Sequence, residues 1–205
     1  LRMNIEINKL VNMGKIYGER FDFTQAGGGN ISVKFNFDKE IITIIKASGY
    51  CLSDVSNNNG YTIINNNKIN EYVNNLIMNE DKNIIENKTK NFIKSQILFN
   101  CKLRPSIETP MHSLFYKYTV HLHPIQCNII LTKKNGKEII KNLFPNSLII
   151  DYYTPGIELS KNIQLKYSGE KIIFLLNHGL IVTSNSSEEI DSLIKEIINI
   201  VEEYI

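Results

Sequence analysis

Four histidines occur in the chain, and two of them stand two residues apart: His121 and His123, in "TVHLHPIQCN". If that stretch is a strand, the two side chains share a face, about 6.5–7 Å apart along the chain. Two imidazoles at that spacing can lean onto one metal ion while Leu122 points the other way, into a core. Zinc suits such a pair, because catalytic zinc sites take three protein ligands and leave one position open. The spacing also suits two separately satisfied polar residues, so a third ligand decides. His178 is the candidate, in the tight Asn-His-Gly junction of "LLNHGLIV" between two apolar β runs. On its own it reads equally as a turn histidine. Glu108, in "RPSIETPMH", stands just before a helix start. It either complements the helix dipole or acts as a general acid/base beside a metal, able also to serve as a fourth ligand. His112, four residues on, reads as a structural or supporting residue rather than a ligand.

Two further stretches could hold an anion. In "QAGGGNISVK", Gly27, Gly28 and Gly29 permit close backbone approach, and successive N–H groups there can form an anion nest, with the Asn30 amide beside it. The stretch is neither a Walker A loop nor a G-x-G-x-x-G fingerprint, and a plain tight turn explains it equally well. "KASGY" supplies Lys46, Ser48 and Gly49 after a β run.

Each of these groups must be carried by an element. Apolar spacing predicts helices over 4–19, 71–79 and 84–98, with 55–70 loop-like around a short strand at "YTII". "NISVKF", "EIITIIK", "TVHLH", "SLIID", "KIIFLL" and "GLIVTS" read as strands, rich in β-branched residues. Thr109 is expected to cap a helix whose first position is Pro110, and Pro124 to open another through "PIQCNIILTKK". "GIELSKNIQLKY" reads as a helix. Ser186 and Glu189 have capping-box spacing ahead of a final helix striped by Ile190, Leu193, Ile194, Ile197, Val201 and Tyr204. Strands and helices are mixed rather than strictly alternating, an α/β pattern.

At 205 residues one domain, 1–205, is expected. A net charge of +2, with lysines spread along the chain, argues against a nucleic-acid or membrane-surface partner. No apolar run reaches the roughly 18–20 residues of a membrane span, and the first residues lack the apolar core of a signal peptide. Leu1 ahead of Met3 reads as a trimmed end. Cys51, Cys101 and Cys127 show no Cys-x-x-Cys spacing, which fits reduced thiols in the cytoplasm. The asparagine-rich "NNNGYTIINNNKIN" reads as genomic base-composition bias.

Taken in order, "GGGNIS", "KASG", "PSIE", "HLHP" and "NHG" resemble the class II aldolase/adducin family over about residues 5–205. The wording of the first two looks closest to a branch also found fused to short-chain dehydrogenases. The resemblance implies a single-domain, three-layer fold: a central mixed, mainly antiparallel sheet flanked by helices. It implies that His121, His123 and His178 hold Zn2+ or another divalent metal and that Glu108 is the catalytic acid/base. It implies that Gly28, Gly29, Asn30, Lys46, Ser48, Gly49 and Ser106 line a substrate-phosphate seat. Tyr152 resembles a tyrosine that protonates the leaving group from a neighbouring subunit of a homotetramer. The activity implied is retro-aldol cleavage of a ketose 1-phosphate or related sugar acid through a metal-stabilised enediolate, in carbohydrate metabolism. Epimerisation, dehydration or decarboxylation on the same scaffold is the alternative, and a non-catalytic adducin-like module a more distant one. Three positions depart from the phosphate-specific pattern: Gly27 and Lys46 replace threonines and Ile107 a second serine. Three hydroxyl donors are lost and one cation gained, so another anion, such as a carboxylate, also fits. A family-type C-terminal tail that closes the site is not expected beyond the last helix.

Overall fold

The computed structural model describes residues 2–205. One seven-stranded sheet organises it, in the order β3-β2-β1-β4-β7-β6-β5. The strands are β1 (Asn30–Phe37), β2 (Glu40–Lys46), β3 (Tyr61–Asn65), β4 (Tyr118–Leu122), β5 (Leu148–Ile150), β6 (Ile172–Leu175) and β7 (Gly179–Ser184). Every neighbouring pair is antiparallel except β5 with β6. The helices are α1 (Arg2–Gly18), α2 (Asn66–Asn75), α3 (Lys82–Ser95), α4 (Thr109–His112), α5 (Ile125–Leu131), α6 (Gly136–Leu143), α7 (Ile157–Lys166) and α8 (Ser187–Tyr204). Among the described residues, no helix is long and apolar enough to cross a membrane.

Side-chain alternation splits the sheet into two unlike faces. On one, Ile31, Val33, Phe35, Val120, Leu122, Leu180 and Val182 form the main apolar core with α1, α5, α6 and α8. The opposite face packs on α2, α3, α4 and α7 through two smaller apolar clusters. Between those clusters its central rows are polar: Asn30, Ser32, Lys34, Thr119, His121 and Thr183 are all buried there. Burying polar groups costs free energy unless they are hydrogen-bonded, and these mostly are. Thr119 and Thr183 hydroxyls meet at 3.0 Å, and Ser32 Oγ lies 2.7 Å from His112 Nδ1.

The expected elements are present, with differences at their ends. The second helix begins at Asn66, not in the seventies, because asparagines start it. Asn65 Oδ1 accepts from Lys68 N at 3.1 Å, and Asn66 Oδ1 accepts from Thr43 Oγ1 at 2.8 Å. Thr109 does not cap α4. Glu108 holds that position without a side-chain cap bond, and α4 is only four residues long. Pro124 precedes α5 as its cap residue instead of entering it, and the helix stops at Leu131. A turn closed by Gly136 N donating to Lys133 O at 2.9 Å then starts α6, which the sequence pattern did not reveal. Only half of the capping box forms: Ser186 Oγ accepts from Glu189 N at 3.2 Å, whereas the Glu189 carboxylate accepts from Ser184 and Lys171. Tyr204 falls off the buried stripe of α8.

Candidate metal centre and acid–base site

The register of the sheet brings the chemistry to one end. Asn30, the first residue of β1, pairs with His121 near the end of β4, and His121 pairs with Ile181 near the start of β7. Antiparallel pairing therefore gathers the starts of β1 and β7 with the ends of β2, β4 and β6 at a single edge. Leu122 points into the main core, fully buried, as alternation requires. His123 leaves the ladder, its N–H donating to Phe23 O at 2.8 Å. His178 sits in the β6–β7 turn, where Asn177 takes φ +56° and so reverses the chain tightly.

There the three imidazoles converge. His121 Nε2 is 3.1 Å from His123 Nε2 and 3.2 Å from His178 Nε2, and one ligand nitrogen from each ring falls within 4.8 Å of the others. His121 Nδ1 lies 3.2 Å from Leu180 O, which can only accept, so Nδ1 carries the proton and Nε2 offers a lone pair. That lone pair also faces Glu108 Oε1 at 3.3 Å. Lone pairs and a carboxyl oxygen pointing at one spot repel unless a cation lies between them. The buried His178 Nδ1 has no hydrogen-bond partner among the described residues. A divalent metal fits this donor set, and His121, His123 and His178 would hold it.

The surroundings keep the imidazoles neutral. Burial holds His121 well below the usual histidine range, helped by His123, His178 and His112, while His123 is lowered by burial alone. Burial and the His123 ring bring His178 down to about 4. His112, fully buried, falls to about 3 through burial and the Lys34 and Lys46 ammonium groups. It bonds Ser32 and is a structural neighbour of the centre, as its position in the sequence suggested. Glu108 moves the other way. Burial pushes its carboxyl up to about 7, against the pull of Lys46 and a hydrogen bond from the Asn30 side chain.

These shifts fix a pH dependence for the metal-free protein. His112, His121, His123 and His178 protonate more readily in the unfolded chain, so their contribution is complete above about pH 6.5 and lost as pH falls toward the folded values. Glu108 opposes this between its ordinary 4.5 and about 7, but one carboxyl acts against four imidazoles. The urea midpoint is expected to decline steadily from about pH 6.5 to about pH 4. A flat profile across that window would contradict the buried-neutral assignment.

The glycines pack against the histidines. A Cβ on Gly28 would meet His123 Nδ1 at 3.0 Å, and one on Gly29 would meet His121 O at 2.9 Å. The Gly28 N–H donates to Gln25 O at 2.9 Å, so it is not free for an anion nest. On the other side a Cβ on Gly179 would meet Leu122 O at 2.4 Å and His123 Cδ2 at 2.8 Å. Gly179→Ala must therefore push β4 from β7 and tilt the His123 ring. Calorimetry should show a loss of about 1–3 kcal/mol, with weaker metal binding alongside it. Unchanged stability and affinity would show that the strands yield there.

The remaining residues fall at the same edge or near it. Lys46 is buried, with Nζ donating to Tyr50 O at 2.7 Å. Ser106 Oγ accepts from Glu108 N at 3.2 Å, which places its hydroxyl directly beside the carboxyl's backbone. Ser48 Oγ accepts from Arg104 Nη2 at 2.8 Å, and Gly49 has open space around it. Sequence reasoning gave no role to Arg104 or Gly179, although both stand inside quoted stretches, because only the folded register shows what they touch. Tyr152 follows β5, the edge strand three places from β4, or about 14 Å across the sheet. It is 58% exposed and makes no side-chain hydrogen bond among the described residues.

Comparison with known proteins adds to this geometry. A model of the family described as Class II Aldolase and Adducin N-terminal domain matches residues 8–205. The structure is similar to the N-terminal class II aldolase domain of a conserved protein from Thermoplasma acidophilum. There the TM-score is 0.83 at 22% identity, covering 97% of this chain and 93% of that one. A sugar-phosphate aldolase from Thermotoga maritima gives 0.72 at 15% identity, over 98% of this chain and 94% of that one. At those identities the likeness is one of fold. In sequence, 107 residues are 33% identical to the uncharacterized oxidoreductase YuxG of Bacillus subtilis (strain 168). That stretch is 50% of this chain and 16% of the relative, so the match spans about a sixth of that protein's length.

Proposed function

Because the chain belongs to the class II aldolase and adducin family, whose model covers residues 8–205, we propose that it is a metal-dependent lyase. Its reaction is retro-aldol cleavage of a ketose 1-phosphate or a related sugar acid. The observation that carries this reading is the convergence of three imidazoles on one point with a buried carboxyl 3.3 Å from His121 Nε2. A divalent cation such as Zn2+, when bound there, supplies Lewis-acid stabilisation of the charge left when a bond beside a ketone breaks.

The chain's own residues do the rest. Glu108, with its pKa raised to about 7, can both give and take a proton near neutral pH, at the carbon that loses its partner. The Asn30 amide holds that carboxyl in place. Ser48, Gly49, Ser106 and Lys46 orient the anionic end of the substrate, with Gly28 and Gly29 shaping the wall. Binding energy gained at that remote end helps position the reacting carbons. Tyr152 is exposed beyond the edge strand β5. In this reading a second copy of the chain, within a tetramer, supplies it to exchange a proton with the oxygen of the leaving aldehyde. The free cysteines fit a cytoplasmic protein.

The test is a panel of ketose phosphates and sugar acids, incubated with metal-loaded protein and followed by proton NMR. Aldehyde and a shortened ketone are the expected products. Inverted configuration, lost water or released carbon dioxide would assign the site to epimerisation, dehydration or decarboxylation. No turnover of any member, from protein holding stoichiometric metal, would favour the non-catalytic module.

A further inference from the structure

The buried polar row of β1 ends in a group that the metal centre does not use. Lys34 stands four residues beyond Asn30, about 13 Å along the strand from the metal edge, and is 7% exposed. Among the described residues its Nζ has one hydrogen-bond partner, the Phe115 carbonyl, and no carboxylate within an ion-pair distance. A buried ammonium without a counter-charge is costly, so burial favours the free amine and brings the Lys34 pKa down to about 7. A desolvated amine with its lone pair free is a nucleophile. Two hollows give access to it, and Lys34 and Phe115 line both. One, of about 390 Å³, is lined by Arg2, Asn36, Lys117 and Asn185 and by no carboxylate. The other, of about 440 Å³, is lined by Asn66, Asn70 and Glu71 of α2. Of the charged and titratable groups around Lys34, Lys117 bonds Glu6 at 2.8 Å, Glu71 meets Lys68 at 3.4 Å, and burial keeps His112 neutral. Arg2 has no ion pair among the described residues.

We propose that Lys34 is a site of reversible modification by carbon dioxide, and that the carbamate it forms lies in the hollow lined by Arg2 and Lys117. The amine lone pair bonds the carbon, one C=O electron pair moves onto oxygen, and the proton released from nitrogen goes to water. The step takes no oxidant and no other reactant. Carbon dioxide is small and uncharged, so it enters a hollow and meets a buried amine at little desolvation cost. The product exchanges a poorly solvated amine for a carboxylate among groups that suit one. Arg2 offers a planar fork and Lys117 a point charge. Asn185 Oδ1 already accepts from Lys117 N at 3.3 Å, which leaves its amide N–H groups to donate to the new carboxylate. The modification thereby ties β1 to the start of α1 and to the segment entering β4. It stands on Lys34 and its surroundings, whatever reaction the metal centre performs.

The test equilibrates the full chain with isotopically labelled bicarbonate at about pH 7.5, where exposed lysines are protonated, and traps carbamates by O-alkylation with triethyloxonium. Peptide mass spectrometry should place the trapped group on Lys34. Carbon NMR should show a saturable protein-bound carbonyl that disappears when carbon dioxide is removed. A terminal α-amino group also reacts near this pH, and its own peptide tells it apart. Lys34→Arg keeps a cation at the position and should lose the Lys34 signal. Arg2→Gln, at an exposed residue, should raise the carbon dioxide concentration for half occupancy about threefold. An unchanged midpoint in that variant would overturn the placement beside Arg2. The proposal fails if Lys34 of the parent stays unlabelled at saturating carbon dioxide, if label spreads over the exposed lysines instead, or if the carbonyl persists in folded Lys34→Arg. Should Lys34→Arg not fold, the trapped peptide of the parent decides alone.

Discussion

Alanine at His123 is expected to empty the metal centre. The ring supplies one of three converging nitrogens, 3.1 Å from its neighbour on His121, and a two-histidine remnant does not hold a divalent ion against a chelator. Changes that only disturb the support of a metal ligand already cost 10–100-fold in affinity, so losing the ligand itself should cost at least about a hundredfold. Metal per chain, measured by mass spectrometry after dialysis against a weak chelator, should fall from near one to below about a tenth. The fold should survive, because His123 stands past the end of β4 and is only partly buried. Retention of tight, stoichiometric zinc in the folded variant would remove His123 from the ligand set.

Glutamine at Glu108 separates proton transfer from metal binding. The amide keeps the shape and the Asn30 contact but cannot accept a proton. Turnover on whichever substrate the panel identifies should drop by about 10²–10⁴-fold with metal content unchanged. A second readout needs no substrate. Because the folded pKa of about 7 lies above the ordinary 4.5, the folded state holds a proton that the unfolded chain has released between those values. Stability contributed by the protonated form is thus present at low pH and lost as pH rises through about 7. Above that pH the metal-free parent carries a buried, ionised carboxylate, and Glu108→Gln relieves it. The variant should be more stable at about pH 8 by on the order of 2–3 kcal/mol, and no more stable at about pH 4. Full activity in the variant would remove Glu108 from the acid–base role, and equal stability at both pH values would remove the buried-charge account.

The alternation of "TVHLH" is enough to send Leu122 to the core and both histidines to the other side. The β-branched runs place six of the seven strands closely, and β3 in outline. Spacing alone cannot say which strands are neighbours. That β1 lies against β4, and so sets Asn30 opposite His121, comes from pairing across some ninety residues. Nor could local pattern foresee that Gly28 and Gly179 stand on either side of the His123 ring, since a glycine tolerates a close approach without announcing what approaches. The asparagine-rich stretch misled for a different reason. Asparagine is a poor residue inside a helix and a good one at its start, so a run read as loop by composition begins α2. Arg104 drew no notice because an arginine before a proline has no pattern of its own. Its bond to Ser48 crosses fifty-six positions.

The strand order carries a consequence for how the protein comes into being. β4 lies between β1, from the first fifth of the chain, and β7, which ends at Ser184. His178 and the carbonyl that fixes the His121 tautomer both arrive with β7. A chain emerging from the ribosome thus has no complete ligand set until His178 is out, and the contacts that bring β1 and His178 to the centre span many residues, the slow kind to form. An ion held there would not template the early steps of folding. It would bind what is already assembled and then stabilise that state by mass action. Shortage of metal would accordingly leave folded but empty protein rather than unfolded chains, and later supply would restore it without refolding.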